Sequence, residues 1–384
     1  MEVLPSEVYQ NIDAIAHGQD GTLAVASSSM TGRIWNGSLW TFKDASTAPD
    51  PEYSSGRACT EAGINDVQWL DSSRMVVGLD DGSVEIWAQT GSLPGLENLG
   101  SLTEHDDIVS SVSVDCARKR IISGSRDRSI KLWDLNSEQC MITYKGHKES
   151  VSDIDCSRTE QDLFLSASED GSVILWDTRK AKPAKKLVDP TKYESIPYCL
   201  AWSPLDSSLF ATGFEDGSVH VYSIKDMTKI IFSYTPHTRA VNKVAFSPRS
   251  PEWLASVSDD KIVNVQNVIH NSAVLRSDIH TDFVRGLSWS PLDDSLLTSG
   301  WDKAVLTHMC GLKSSSDLVV ELSKSRNTSV VSVDSEPPLQ PEVNGEVQNN
   351  ENEQDNMDVV EEGSPFANDD KTCGGKMERI VVES

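Results

Sequence analysis

The sequence predicts an all-β protein, a propeller of seven blades, followed by a disordered acidic C-terminal segment. Three observations carry this reading. First, apolar and β-branched residues alternate with polar ones in short runs, as in Val109, Val112 and Val114, then Ile121-Ile122, then Ile130-Lys131-Leu132-Trp133. Period-two runs separated by polar breaks are the pattern of strands and turns. Second, the pattern recurs at a nearly fixed interval. His105 and His147 stand 42 residues apart and His237 and His280 stand 43 apart. Acidic turn residues fall at Asp81, Asp127, Asp170, Asp216, Asp260 and Asp302, in steps of 46, 43, 46, 44 and 42. Third, the character of the chain changes after Cys310. Between Asp334 and Asp370 there are 12 acidic residues and no Lys or Arg, about half of the net charge of −25.

One such repeat is a small antiparallel sheet that cannot bury both of its faces alone, so the copies must pack on one another. The blocks Asp80-Asp-Gly-Ser-Val-Glu-Ile-Trp87, Arg126-Asp-Arg-Ser-Ile-Lys-Leu-Trp133, Glu169-Asp-Gly-Ser-Val-Ile-Leu-Trp176 and Glu215-Asp-Gly-Ser-Val-His-Val-Tyr222 are near copies. With Lys145-Gly146-His147 at the start and Leu175-Trp176-Asp177 at the end, the unit resembles the WD-repeat, which contributes one four-stranded propeller blade. Seven copies begin near Ile12, Ile64, His105, His147, Ser195, His237 and His280. The sixth lacks its Trp (Asn264-Val-Gln-Asn267), and the seventh offers only three strands before Cys310. The N-terminal segment Glu2–Tyr9 is expected to supply the missing strand, because an open ring leaves strand edges unpaired. The domains are therefore a propeller over residues 1–310 and a tail over 311–384. The tail holds too few apolar residues to offset its ordering entropy.

Within a repeat, the His, a Ser of the second strand, the turn Asp and the Trp are placed to form a buried hydrogen-bond chain. The two clearest sets are His105, Ser123 or Ser125, Asp127 and Trp133, and His147, Ser166 or Ser168, Asp170 and Trp176. Ser, His and Asp together also invite a nucleophilic triad. A triad is needed once, whereas this set recurs at near-fixed offsets, so its role is to satisfy buried polar groups and pin the strands of each blade.

The remaining composition excludes several classes. The seven Cys are odd in number, scattered, and include no Cys-x-x-Cys pair, which argues against a disulfide framework and a metal site and for a reducing compartment. No apolar run approaches the roughly 18 residues of a membrane span, and Met1–Gln10 has no signal-peptide character. No basic stripe exists to neutralise nucleic-acid phosphates. His17, His220, His270 and His308 are scattered rather than clustered, so neither catalytic residues nor a cofactor or metal is expected.

Function is expected where the repeats deviate. The residue before the first inward Val of a blade faces one rim and is Ile108, Ser150, Ala240 or Phe283. A Phe there is an exposed aromatic, worth about 1.5–3 kcal/mol if buried at an interface. The first repeat carries Gly32-Arg-Ile-Trp35-Asn-Gly-Ser-Leu-Trp40-Thr-Phe42-Lys-Asp44, more aromatics than a blade needs. By register Trp35 aligns with the structural Trp of the other blades, and Arg33 points outward, able to fork onto a carboxylate or carbonyl.

These strings, with Glu104-His-Asp-Asp-Ile-Val-Ser-Ser-Val-Ser-Val114, Leu175-Trp-Asp-Thr-Arg-Lys-Ala-Lys-Pro-Ala184 and His280-Thr-Asp-Phe-Val-Arg-Gly-Leu-Ser-Trp-Ser-Pro-Leu-Asp-Asp-Ser-Leu-Leu-Thr-Ser-Gly-Trp-Asp302, resemble the WD-repeat subunits of the methylosome over about residues 12–310. The resemblance implies a non-enzyme. Such subunits are obligate partners of the protein arginine methyltransferase that makes symmetric dimethylarginine, in a complex with four copies of each chain. They dock on its N-terminal barrel domain and help present Sm proteins and histone tails, in cytoplasm and nucleus. The resemblance places partner contacts at Arg33, Trp35 and Phe283. A second interaction reading is a substrate receptor of a cullin-type ubiquitin ligase, docked through the box Trp176-Asp177-Thr178-Arg179. A propeller hydrolase would need His or carboxylate clusters outside the repeat pattern, and none stands in the sequence. The acidic segment 334–370 is expected to attract basic substrates through long-range electrostatics.

Overall fold

Each repeat folds into its own antiparallel sheet, and the sheets pack face to face in a ring. The computed structural model describes residues 11–31, 34–90, 95–188 and 195–311, all of which fall in one compact unit. The expected closing segment Glu2–Tyr9, Arg33, and all of the C-terminal segment except Gly311 lie outside the described residues. Six sheets have four strands in chain order, and the seventh (Val284–Trp289, Ser295–Gly300 and Val305–Met309) has three. Among the described residues the only helices are two 3-10 turns, Ala45–Thr47 and Pro51–Tyr53, and none is long and apolar enough to cross a membrane.

Within a blade the chain moves from the axis outward. Strands between two neighbouring sheets lose their solvent face, so the third strand of blade 4, Ser172–Asp177, is buried along its whole length. The outermost strand of blade 3, Gln139–Tyr144, keeps alternate residues exposed. The core is divided into seven apolar clusters, one at each blade-to-blade interface. The seventh joins the last blade to the first through Ile12, Ile15, Leu23, Val25, Trp40, Phe42 and Leu297. This packing closes the ring at its seam.

The repeated polar chain is present as expected. His105 Nε2 lies 2.8 Å from Ser123 Oγ, Trp133 Nε1 donates to the same oxygen at 2.8 Å, and His105 Nδ1 lies 2.8 Å from Asp127. In blade 4, His147 meets Ser166 at 2.7 Å and Asp170 at 3.4 Å, and Trp176 donates to Ser166 at 2.8 Å. Of the two serines open in each repeat, the first is the bridge; Ser125 and Ser168 instead bond to the turn backbone. The Ser123 and Ser166 side chains are fully buried and receive an indole N–H, so their geometry serves folding, not nucleophilic attack. Burial pushes the Asp127 carboxyl up, but hydrogen bonds from His105 and Ser129 outweigh it and hold that carboxyl well below the usual range. The residue after each turn Asp is left-handed, with φ between 65° and 86° at Gly82, Arg128, Gly171, Gly217, Lys261 and Lys303.

Blade 7 contains a variant the sequence reading missed. His308, scattered by its place in the sequence, stands opposite Leu296 where Trp176 stands opposite Phe164. It completes a chain of its own: His280 Nε2 to Thr298 Oγ1 at 2.8 Å and Thr298 Oγ1 to His308 Nε2 at 2.9 Å. Burial, then the neighbouring His280, push His308 down to about 4, and burial pushes His17 at the same seam down to about 4. The unfolded chain therefore takes up protons between pH 6.5 and about 4 that the folded chain refuses, and stability falls as pH drops through that window. The melting midpoint is expected to fall by several degrees between pH 7 and pH 5. His308→Trp, which restores the usual residue, should flatten part of that slope; parallel pH profiles for the two proteins would refute the assignment.

Candidate protein-binding site

The site is built where the ring closes. Every first strand carries a one-residue bulge, at Asp13, Asn65, Ser110, Ser152, Tyr198, Asn242 and Arg285. A bulge re-aims its side chain, and all seven line one mouth of the central channel. Four of them tie their blade to the first carbonyl of the next. Asn65 donates to Val109 O at 3.1 Å, Ser152 to Pro197 O at 2.9 Å, Asn242 to Val284 O at 2.8 Å, and Ser110 donates likewise to Val151 O. At the seam Asp13 and Arg285 turn to the rim instead.

There they hold a group of aromatic side chains. Trp301 Nε1 donates to Asp13 Oδ1 at 2.8 Å, and Ser28 Oγ donates to the other carboxylate oxygen of Asp13. The Phe283 and Trp301 ring centroids are 5.3 Å apart. The Arg285 guanidinium lies 4.9 Å from the Trp301 centroid and 5.9 Å from that of Phe283, within cation–π range. It is steadied by Asn242 Oδ1 at 3.0 Å and Asp259 at 3.5 Å. Phe283 is thus half-buried against Trp301, not the freely exposed ring its position suggested.

Trp35 requires a correction of register. The last residue of the first strand marks equivalent positions: Val114 pairs with Ile121 and His17 with Leu23. Ile121 faces Trp133, and Leu23 faces Phe42. Phe42, fully buried, therefore fills the place of the structural Trp, and Trp35 does not. The misalignment arose because the second and third strands of blade 1, Leu23–Thr31 and Ile34–Phe42, form a hairpin longer than its counterparts. Its pairing continues from Ala26–Leu39 out to Thr31–Ile34, whereas the equivalent hairpin of blade 3 stops at Gly124–Ile130. Trp35 sits on this projecting part, 50% exposed. Its indole Nε1 and the carboxylate of Asp80 in blade 2 both flank Gly63, and Asp80 accepts from Asn65 Nδ2 at 2.7 Å. Gly63 gives the indole room, since a Cβ there would lie 2.6 Å from Trp35 Nε1.

Phe283 of blade 7 is linked through Trp301 and Asp13 to Ser28 of blade 1, and Ser28 and Trp35 both flank Gly63, which sets the two aromatics along one strip of rim. The structure brings together two of the three residues expected to meet a partner; Arg33, between the strands of the projecting hairpin, is outside the described residues. Trp301 lies within the His280–Asp302 string but has no role of its own in the sequence reading, because Ser-Gly-Trp-Asp reads as an ordinary repeat turn. The available signal was its position just before the turn Asp, where the other blades have Asp80, Arg126, Glu169, Glu215 and Asp259.

Behind the mouth the channel is crossed by charge. Lys243 of blade 6 lies 3.3 Å from Asp153 of blade 4 and 3.7 Å from Asp66 of blade 2. Asp66 also accepts from Val112 N at 3.0 Å and Asp153 from Leu200 N at 2.9 Å, so the brace reaches five blades. Among the described residues no group of His, Cys, Asp or Glu is arranged to hold a metal ion.

Comparison with known proteins places this geometry in a family. The WD domain, G-beta repeat matches residues 96–134, 138–177, 186–223, 228–266 and 273–306; the deviant first repeat is outside those matches. Protein valois of Drosophila melanogaster is 22% identical over 327 residues, covering 80% of this chain and 88% of that protein. Histone acetyltransferase type B subunit 2 of Candida glabrata is 28% identical over 205 residues, 52% of this chain and 48% of that one. Methylosome protein WDR77 of Xenopus laevis is 37% identical over 305 residues, 79% of this chain and 91% of the relative. With identity at that level over that length, and seven blades built on its repeats, the chain belongs to the WD-repeat family of methylosome proteins.

Proposed function

We propose that this propeller is a non-catalytic adaptor. It docks on a protein arginine methyltransferase that forms symmetric dimethylarginine, and it helps present basic substrates such as Sm proteins and histone tails in cytoplasm and nucleus. The assembly would hold four copies of each chain. One observation supports the reading: Phe283, through Trp301, Asp13 and Ser28, reaches the Gly63 position that Trp35, 248 residues away in sequence, also flanks. An aromatic strip of this kind has the composition of an interface hot spot. Arg33, beside Trp35 in sequence, is proposed to fork onto an acceptor of the partner.

The test is affinity purification followed by mass spectrometry. Recovery of the methyltransferase supports the proposal; recovery of a cullin adaptor instead would favour the ubiquitin-ligase reading. In that second reading Arg179 is the informative residue. It is 68% exposed and already paired with Asp177 at 2.8 Å, while Trp176 of the same box is buried.

The acidic segment 334–370 is proposed to raise the local concentration of Arg-rich substrates. Deleting it is expected to weaken substrate-peptide binding by roughly tenfold at low ionic strength and not at 0.5 M salt, because exposed charges are screened beyond a few ångströms there. Equal affinities at low salt would show that the segment serves solubility alone.

A further inference from the structure

We propose that Trp301, with Arg285 lying on its face, is the floor of the docking strip and receives an apolar side chain of the methyltransferase. The inference rests on the docking reading above and adds to it a residue and the chemistry of the group it meets.

The first support is the break in the repeat. Five blades place a charged residue just before the turn Asp, and only the seventh, of these six, places a large aromatic there. A charged residue suits a solvated turn tip. A partly exposed Trp at that place gains nothing from solvent and is half covered by its own chain.

The second is what the seam gives up to hold it. In four of the five other blades the bulged residue, Asn65, Ser110, Ser152 or Asn242, ties its blade to the next through a carbonyl; Tyr198 of blade 5 is the exception. At the seam two successive bulges abandon that tie. Asp13 fixes the Trp301 indole at 2.8 Å, and Arg285 stacks on its ring at 4.9 Å. Two neighbouring departures serving one side chain indicate a platform whose orientation matters. The blade-7/blade-1 interface is meanwhile held by its own apolar cluster, so these polar contacts are free to serve the rim.

The third concerns the kind of group that fits. The rings of Trp301 and Phe283 already carry the Arg285 charge. A second cation brought to these rings would meet the like charge of Arg285. An aliphatic or aromatic side chain has no such conflict and gains by excluding water from both rings.

The experiment measures the affinity of the full chain for purified methyltransferase alongside its melting midpoint. Trp301→Gln gives the turn a polar residue like those of the other blades, and Trp301→Phe keeps a ring without the indole N–H. The expected results are a loss of about tenfold or more for Trp301→Gln, about threefold for Trp301→Phe, and melting midpoints within a few degrees of the parent. The Trp301→Gln loss should be the same at 0.05 and 0.5 M salt, as for an apolar contact. A loss that disappears at high salt would overturn the apolar assignment. If Trp301→Gln binds normally while Trp35→Ala and Phe283→Ala do not, Trp301 is a structural turn residue and the inference fails alone. If all three bind normally, the docking reading fails with it. A sharp fall in melting midpoint with unchanged affinity at low temperature would also reject the platform.

Discussion

Phe283→Ala is expected to weaken binding to the methyltransferase by about 2 kcal/mol, close to thirtyfold, with only a modest fall in melting midpoint. The magnitude follows from the ring's situation. Phe283 is half-buried in the free chain, so part of its apolar surface is already removed from water against Trp301 and only the remainder is gained on docking. Pre-packing lowers the entropy that docking must overcome, because the ring is held in place before the partner arrives. Truncation would also leave Trp301 and Arg285 without their neighbour, which adds to the loss. Co-purification and a quantitative affinity for the variant check this. Unchanged affinity would remove Phe283 from the interface and leave Trp35 and Trp301 as its remaining described anchors.

Lys243→Met is expected to destabilise the ring by roughly 3 kcal/mol, lowering the melting midpoint by about 5–10 °C. The Lys243 ammonium is the cation shared by Asp66 and Asp153, whose side chains are 8% and 4% exposed. Removing it leaves two carboxylates of like charge facing each other across the channel, with Asp155 nearby on the same blade as Asp153. Burial already pushes the Asp66 carboxyl up, and Lys243 is the chief influence bringing it back down. Without Lys243 its folded-state value rises further above the unfolded one. The deficit of the variant relative to the parent should therefore be largest near pH 7.5 and shrink toward pH 5 as a carboxyl takes up a proton. A deficit constant across that range would point to lost packing rather than lost charge. The affinity for the methyltransferase should change little at temperatures where the variant is folded, since Lys243 lies behind the rim.

These two experiments separate the scaffold from the surface it carries, and the same division governs how much could be read in the sequence. Blade number and the buried His–Ser–Asp–Trp chains were legible because they are local and repeated. A four-residue network recurring every forty-odd positions needs no knowledge of which blade touches which. Phe283 was legible as a departure from that repeat. Other features were not. Trp35 was aligned with the structural Trp because a hairpin lengthened symmetrically in both strands keeps its alternation while moving every residue outward; only the pairing of Leu23 with Phe42 reveals the shift. His308 was set aside because His and Trp share little as letters, yet both can bond the central hydroxyl of a blade. Trp301 hid inside a common turn.

By itself, then, the sequence determined the class of fold, the number of blades and the residues that pin each one, because period-two burial and short-range hydrogen bonding are properties of neighbouring residues. The tertiary structure alone decided which deviations belong together. Ring closure sets residue 301 beside residue 13, and the bulges at Asp13 and Arg285 support Trp301 where four other bulges make inter-blade ties. The same closure leaves Trp35 half exposed on a projecting hairpin. Such juxtapositions depend on the angle between sheets and on the meeting of the two ends of the ring, and no local pattern records either.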